Sequence, residues 1–356
     1  MATSETPATG QGTGRRESGR SLRELADLIT PMAIRVAVTL RIPQQVSGGR
    51  LTAQALAANT NTDPDVLERI LLHLAAVGVL TRDDGGLFGL TPVGAQMLVE
   101  NDMVANPDFL DLNTVAGRAE LSFVHLLDVA RSGDTVAYSA QYGTSFWDDL
   151  GKEPSSAVHF DQVMADGMKK RVQEIAEAYD WGALGNVVDV GGGNGTLLVG
   201  LLRAHPGLRG TVVDRDAEPA TRAFRDAGLS DRAAALSGNF LEPLPPGAGG
   251  YVVSRIQSDW NDADVRTILG HCADAAGTRG RVVVVDEFAA EEGVRTDSET
   301  DLRMLMYYGG KERTMEQVRQ LAADVGLSVT SLRRAADWTI MELSRAPRGY
   351  RPVPTG

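Results

Sequence analysis

An α/β fold preceded by a separate helical domain is predicted by three features. Four short β-branched runs, NVVDV, GTVVD, GYVVS and RVVVVDEF, alternate with helical stretches from Asn186 onward. That alternation places the strands in a parallel sheet covered on both faces. The stretch GGGNG, residues 191–195, joins the first of these strands directly to a helix. Ahead of them, residues 21–100 carry helix-period apolar patterns followed by a hairpin signal.

The first 20 residues, MATSETPATGQGTGRRESGR, contain no apolar segment and read as a disordered tail without a secretory signal. A winged-helix domain is expected over 21–104. Its helices are LRELADLITPMAIRVAVTL, LTAQALAANT and DPDVLERILLHLAAVGVL, with Thr52 and Asp63 as N-caps of the second and third. LTRDDGGLFGLTPVG forms the wing, turning at Asp83-Asp84-Gly85-Gly86. Winged helices often bind DNA, but residues 21–100 hold six arginines against eight acids. The would-be recognition helix, around Asp63–Leu80, has three acids and one arginine, the reverse of a phosphate-facing surface. A packing or dimerisation module is the better reading. Residues 105–180 continue as connecting helices, with an aromatic loop at Tyr142–Trp147. The sheet domain spans 181–347, and the Pro/Gly-rich end APRGYRPVPTG, residues 346–356, carries a flexible tail over 348–356.

Composition narrows the function. A net charge of −12 argues against general nucleic-acid or anionic-membrane binding. The single cysteine, Cys272, excludes a cysteine zinc cluster, and the five histidines show no i, i+4 pairing, so no metal is expected. No apolar run reaches a bilayer-spanning length. A cytoplasmic protein is expected.

The sharpest signal is VVDVGGGNGTLLVGLL, residues 187–202. Glycines there let a ligand approach the backbone, and the following helix offers free N–H groups. A dinucleotide fingerprint counted from Gly191 needs a sixth-position glycine, and that position is Thr196. The spacing present is Asp189, Gly191, Gly193, Gly195. It suits an amino-acid-bearing nucleoside such as S-adenosylmethionine, which has no pyrophosphate, with Asp189 holding the loop and the ligand's ammonium. Asp214, ending the next strand, is placed to accept the ribose hydroxyls. Asn239 is placed at the adenine edge and Phe240 on its ring.

With these residues in view, the chain resembles the small-molecule O-methyltransferases of the plant caffeate and bacterial type. It is most similar to their anthracycline tailoring branch, which includes carminomycin 4-O-methyltransferase and aclacinomycin 10-hydroxylase. The stretches that carry the resemblance are TPMAIRVAVTLR, YGTSFWDDL, AYDW, VVDVGGGNG, GLSDR, NFLEPLP and DLRMLMYYGGKERT. The resemblance implies a Rossmann-like S-adenosylmethionine domain behind a winged dimerisation domain, and a homodimer formed through the latter. It places Ser254 and Trp260 at the cofactor, and it makes Asp286 and Glu312 the acids flanking a catalytic histidine. An acceptor pocket for an aromatic substrate is implied at Phe146, Trp147, Met164, Met168, Met304, Tyr307 and Tyr308, with Tyr142 as a further phenolic contact.

Three departures from the family pattern matter. Ser258-Asp259-Trp260 stands where many relatives have His-Asp-Trp, so the usual general base is missing. Asn239 replaces a usual aspartate, and Gly249-Gly250 replaces a motif that often holds one. Asp259 is the candidate replacement base by spacing, with capping of the next helix as its competing role. His125, on an apolar helix face, is expected to be a packed core residue. The reaction expected is methyl transfer to a phenolic, polycyclic polyketide, driven by alignment. The alternatives are a hydroxylase, decarboxylase or cyclase using the bound sulfonium as a fixed charge, and, from another class, a metabolite-sensing winged-helix regulator.

Overall fold

The computed structural model describes residues 21–99, 107–133, 136–289 and 298–345. They form two compact units, within Met1–Ala95 and Gln96–Gly356. The first unit contains α1 (Leu22–Leu25), α2 (Ile29–Thr39), α3 (Ile42–Ser47), α4 (Ala53–Thr60) and α5 (Pro64–Ala76). Its small antiparallel sheet is formed by β1 (Leu51–Thr52), β2 (Leu80–Arg82) and β3 (Leu87–Leu90), in the order β1-β3-β2. Both expected caps are present: Thr52 accepts from the Ala55 N–H at 3.2 Å and Asp63 from the Val66 N–H at 2.9 Å. Asp83 makes the wing turn by accepting from the N–H groups of Gly85 (3.0 Å) and Leu87 (2.9 Å). The first predicted helix is broken at Ala26–Leu28, where Asp27 turns to accept from the N–H groups of Ile29 and Thr30 that open the next helix.

The second unit begins with short helices: α6 (Pro107–Leu110), α7 (Val115–Ala119), α8 (Leu126–Ser132), α9 (Ala137–Tyr142) and α10 (Phe146–Lys152). The long α11 (Pro154–Ala178) leads into the sheet domain. There β4 (Asn186–Val190), α12 (Thr196–Ala204), β5 (Arg209–Asp214), α13 (Glu218–Asp226), β6 (Ala233–Ser237), β7 (Gly250–Ser254), α14 (Asp262–Ala276) and β8 (Arg281–Asp286) alternate in βα fashion. They are followed by α15 (Ser298–Tyr308), α16 (Met315–Asp324), β9 (Leu327–Ala335) and β10 (Trp338–Arg345).

Strand order is β6-β5-β4-β7-β8-β10-β9. The first five run parallel, and β10 is antiparallel to both β8 and β9. The sheet is therefore mixed rather than wholly parallel. The β9–β10 hairpin supplies the antiparallel edge, turning at Ala336, whose φ is +52°. Two apolar layers cover the sheet. One, around Val190, Val253, Leu269 and Val284, faces α14 and α16; the other, around Val187, Val212, Leu198 and Phe224, faces α12 and α13. Parallel strands place the ends of β4, β5, β7 and β8 on one edge, where such folds bind ligands. No helix among the described residues is long and apolar enough to cross a membrane.

Candidate active site

The edge at β4 is shaped by backbone that only glycine adopts freely. Gly191, Gly193 and Gly195 have φ of +69°, +54° and +76°. A Cβ on Gly191 would lie 2.5 Å from Ile256 Cδ1, and one on Gly195 2.8 Å from Phe224 Cε1. Asp214, at the end of β5, pins the loop by accepting from the Gly193 N–H at 2.8 Å and from the Arg215 N–H at 2.7 Å. Asp189 lies under the loop, 2 % exposed, and its Oδ2 has no hydrogen-bond partner. Burial, helped by the charge of Asp214, pushes its carboxyl up to about 7. Ser254, at the end of β7, holds a second buried oxygen without a partner. Phe240 and Trp260 meet edge to face at 5.6 Å, Phe240 buried and Trp260 partly so. Asn239 is exposed, its Oδ1 closing a turn on the Leu241 N–H at 3.0 Å.

Beside this loop runs Arg255–Asp262. Asp259 does not cap the following helix. Asn261 does, accepting from Ala263 at 2.9 Å and Asp264 at 3.0 Å. Asp259 instead faces the charges of Arg255, Asp286 and Glu312, and loss of hydration pushes its carboxyl up to about 8. Asp286, buried at the end of β8, accepts from Gln257 Nε2 at 3.2 Å and from the Glu287 N–H at 2.9 Å. Burial raises it to about 6, against the pull of Arg255. The Glu312 N–H donates to Asp301 at 2.8 Å, which fixes the turn that brings Glu312 to the cluster. Ser258 is 9 % exposed, and its carbonyl oxygen lies 2.1 Å from where a Cβ on Gly310 would stand. Only glycine permits so close an approach of the chain after α15 to this segment.

Aromatic side chains form the wall facing the segment. Trp147 stacks on Tyr308 at 4.9 Å and 14°, and Phe146 meets Tyr308 edge to face at 5.0 Å. Trp147 Nε1 is buried and unpartnered. Asp259 and Tyr308 are close enough for the carboxylate, after burial, to hold the phenol well above its usual range. Tyr307 is buried and donates to Glu120, while Tyr142 donates to the Arg118 carbonyl at 3.0 Å.

Several details differ from the sequence reading. Tyr142, Phe146 and Trp147 end one helix and begin the next, leaving only three residues between them. Met164 packs with the aromatic wall, but Met168, four residues further along α11, packs under β4 and α12. Met304 is half-buried on α15. His125 is no core residue: it is half-exposed and pairs with Gln141 at 2.6 Å, on a turn whose apolar neighbours Val124 and Leu127 are themselves exposed. His271 bonds the Leu241 carbonyl, and Cys272 is buried in the sheet core.

Two residues outside the set predicted from the sequence join the site. Asp161, on α11, is raised to about 6 by burial and by Asp214 and Asp216. Its one sequence signal is an acid on the same helical face as Met164 and Met168. Arg313 is completely buried and bonded to the Arg255–Asp262 segment.

Family models match both units: an O-methyltransferase domain over residues 123–328 and an O-methyltransferase dimerisation domain over 23–100. The chain belongs to the O-methyltransferase family. It is 45% identical over 333 residues to 2,7-dihydroxy-5-methyl-1-naphthoate 7-O-methyltransferase of Streptomyces carzinostaticus, covering 93% of this chain and 99% of that protein. It is 40% identical to aclacinomycin 10-hydroxylase of Streptomyces purpurascens, covering 90% and 87%. A solved O-methyltransferase of neocarzinostatin biosynthesis, in complex with S-adenosylmethionine and 2-hydroxy-5-methyl naphthoic acid, matches with a TM-score of 0.83 and 44% identity over 92% of this chain and 100% of that one. This O-methyltransferase takes S-adenosylmethionine as its cofactor, and its first unit is the family's dimerisation domain.

Proposed function

We propose that the enzyme transfers the methyl group of S-adenosylmethionine to a phenolic hydroxyl of a polycyclic aromatic polyketide. The observation that carries this reading is the position of the segment around Ile256–Asp259. Ile256 packs close to Gly191 of the glycine loop on one side, and Ser258 and Asp259 lie against Gly310, two residues past Tyr308 of the aromatic wall, on the other. A donor on the loop and an acceptor against the wall therefore meet at this segment.

Asp189, Asp214, Asn239, Phe240, Ser254 and Trp260 are the residues we assign to the cofactor. The buried, unpartnered oxygens of Asp189 on β4 and Ser254 at the end of β7 suit the ammonium and carboxylate of its amino-acid end. When bound, the cofactor supplies a sulfonium-activated methyl group. Tyr142, Phe146, Trp147, Met164, Met304, Tyr307 and Tyr308 are assigned to the acceptor, and Trp147 Nε1 offers it an unused donor. Flat aromatics and adaptable methionines suit a fused-ring acceptor. Relatives that act on a naphthoate support an acceptor of at least that size.

Alignment of phenolic oxygen and methyl contributes most of the rate, an effect worth about 7–11 kcal/mol in favourable cases. Within the segment Asp259, not Ser258, is the group able to take the phenolic proton, with Asp286 and Glu312 setting its charge environment. Because S-adenosylmethionine is a cytoplasmic metabolite, we place the reaction in the cytoplasm.

The test is mass spectrometry of acceptor and cofactor products after incubation with methyl-labelled S-adenosylmethionine and a panel of polycyclic phenols. A labelled acceptor with matching S-adenosylhomocysteine is expected. The second reading is a non-methylating reaction, favoured by serine at the base position and by likeness to a hydroxylase. An acceptor that gains oxygen or loses CO₂ while the cofactor is unconsumed would establish it.

A further inference from the structure

The geometry points to Arg313 as a positioning residue for the transfer, holding residues 258–259 in place by strapping the chain on both sides of them. The inference rests on the reading of this segment as the place where donor and acceptor meet. Arg313 has no exposed surface, although it carries a full charge and lies in the loop between α15 and α16. A guanidinium is desolvated at such a cost only where its donors are used, and here they are.

Nη1 donates to the Gln257 carbonyl and lies 3.4 Å from Gln257 Oε1. Nη2 donates to the Trp260 carbonyl at 2.8 Å and to Asp262 Oδ1 at 2.7 Å, and Nε reaches the same Asp262 oxygen at 3.1 Å. Nη1 also lies 3.3 Å from the Lys311 carbonyl, which ties the group to its own loop. The carbonyls of Gln257 and Trp260 bracket Ser258 and Asp259, so one planar group fixes both ends of that pair. Gln257 extends the brace by donating its amide to Asp286 at 3.2 Å. Arg313 thus connects the chain after α15, the segment after β7 and the acid that ends β8.

The bonds need a fork of donors in fixed directions. A lysine ammonium is a point charge on a flexible stem and does not span the two carbonyls and the carboxylate together. Arg313 touches neither loop glycine nor aromatic wall in its bonding, so its influence on the reaction passes through the backbone it holds.

The test compares wild type with Arg313→Ala, Arg313→Lys and Gln257→Met, with activity expressed per cofactor-binding site. For Arg313→Ala, kcat is expected to fall about 100-fold, the scale of loss when reacting groups are misplaced by about an ångström. Affinity for S-adenosylhomocysteine should fall much less than kcat, by about tenfold at most, because only Trp260 is loosened while the glycine loop and Asp214 are held by other residues. Millimolar guanidinium ion should restore a large part of kcat to Arg313→Ala and none to Arg313→Lys. Gln257→Met keeps the guanidinium and removes the link to Asp286, whose carboxyl should then titrate higher in the pH–rate profile. Should Arg313→Ala fail to fold, the Lys and Met variants decide the matter by the same two readouts.

Hydrogen exchange gives a readout independent of the reaction catalysed. Amide exchange should accelerate over 255–262 and remain unchanged over 186–202. Local acceleration in a protein found to methylate nothing would keep the strap and remove the methyl-transfer reading. Uniform acceleration, wild-type kcat per site in Arg313→Ala, or no response to guanidinium would overturn the inference.

Discussion

At Asp189 the requirements of folding and of binding are opposed. Its carboxyl is raised to about 7 by burial and by Asp214, whereas aspartates of an unfolded chain titrate near about 3.9. The folded protein therefore binds this proton more tightly. The stability it contributes is full below about 4 and is lost as the pH rises through about 7. Asp189→Asn should raise the melting temperature of the cofactor-free protein at pH 8 by a few degrees and weaken S-adenosylhomocysteine binding by at least about tenfold. Scanning calorimetry and titration calorimetry read the two effects, and unchanged affinity would take Asp189 out of the cofactor site. Asp259 supplies a second titration. If it accepts the phenolic proton, kcat should fall about tenfold per pH unit below about 8, or below a somewhat lower value with the sulfonium bound. Asp259→Asn should abolish that limb, while Ser258→Ala should leave kcat within about threefold, since a serine hydroxyl is no base at neutral pH. A profile that follows only the acceptor's own phenol would show that no protein base is used. The glycines and acids at strand ends could be found in the sequence because their chemistry is local. Arg313 and Asp161 could not, since what marks them is burial by distant segments.

At the scale of elements, the glycine loop makes the plainest prediction. Gly191→Ala combines an unfavourable left-handed φ with a 2.5 Å approach to Ile256. It should cost about 1–3 kcal/mol in stability and also displace the segment that Ile256 begins. Chemical denaturation together with cofactor titration checks both effects. Normal binding and stability in that variant would mean that the loop is more adaptable than its contacts imply. The four core strands β4, β5, β7 and β8 stood out because burial on two faces demands continuous β-branched residues. The edge strand β6 reads AAALS, too small and too exposed to signal a strand. In β9 the sequence LSVTSLRRA mixes exposed arginines with few buried positions, and its partner β10 includes Met and Glu. Those two strands are specified by pairing with each other and with β8, a long-range property that no short window contains.

For the whole molecule, the dimerisation domain makes a specific claim about its surface. Leu22, Leu25, Leu28 and Ile29 are 65–81 % exposed in the single chain. Their unshielded area is expected to be covered in the homodimer. Replacing Leu25 and Ile29 together with glutamate should shift the protein towards monomer in light scattering after gel filtration. A stable dimer in that variant would place the interface elsewhere on the domain. The surplus of acids in the same unit predicts no salt-dependent DNA binding, which also separates the enzyme from winged-helix regulators. β10 follows β9 in the chain yet lies between β9 and β8. A ribosome halted before Trp338 therefore leaves β8 as a bare, β-branched edge, with β9 lacking a strand to pair with. Nascent chains in that interval should engage chaperones, and a premature stop codon there should yield inclusion bodies rather than a smaller active enzyme.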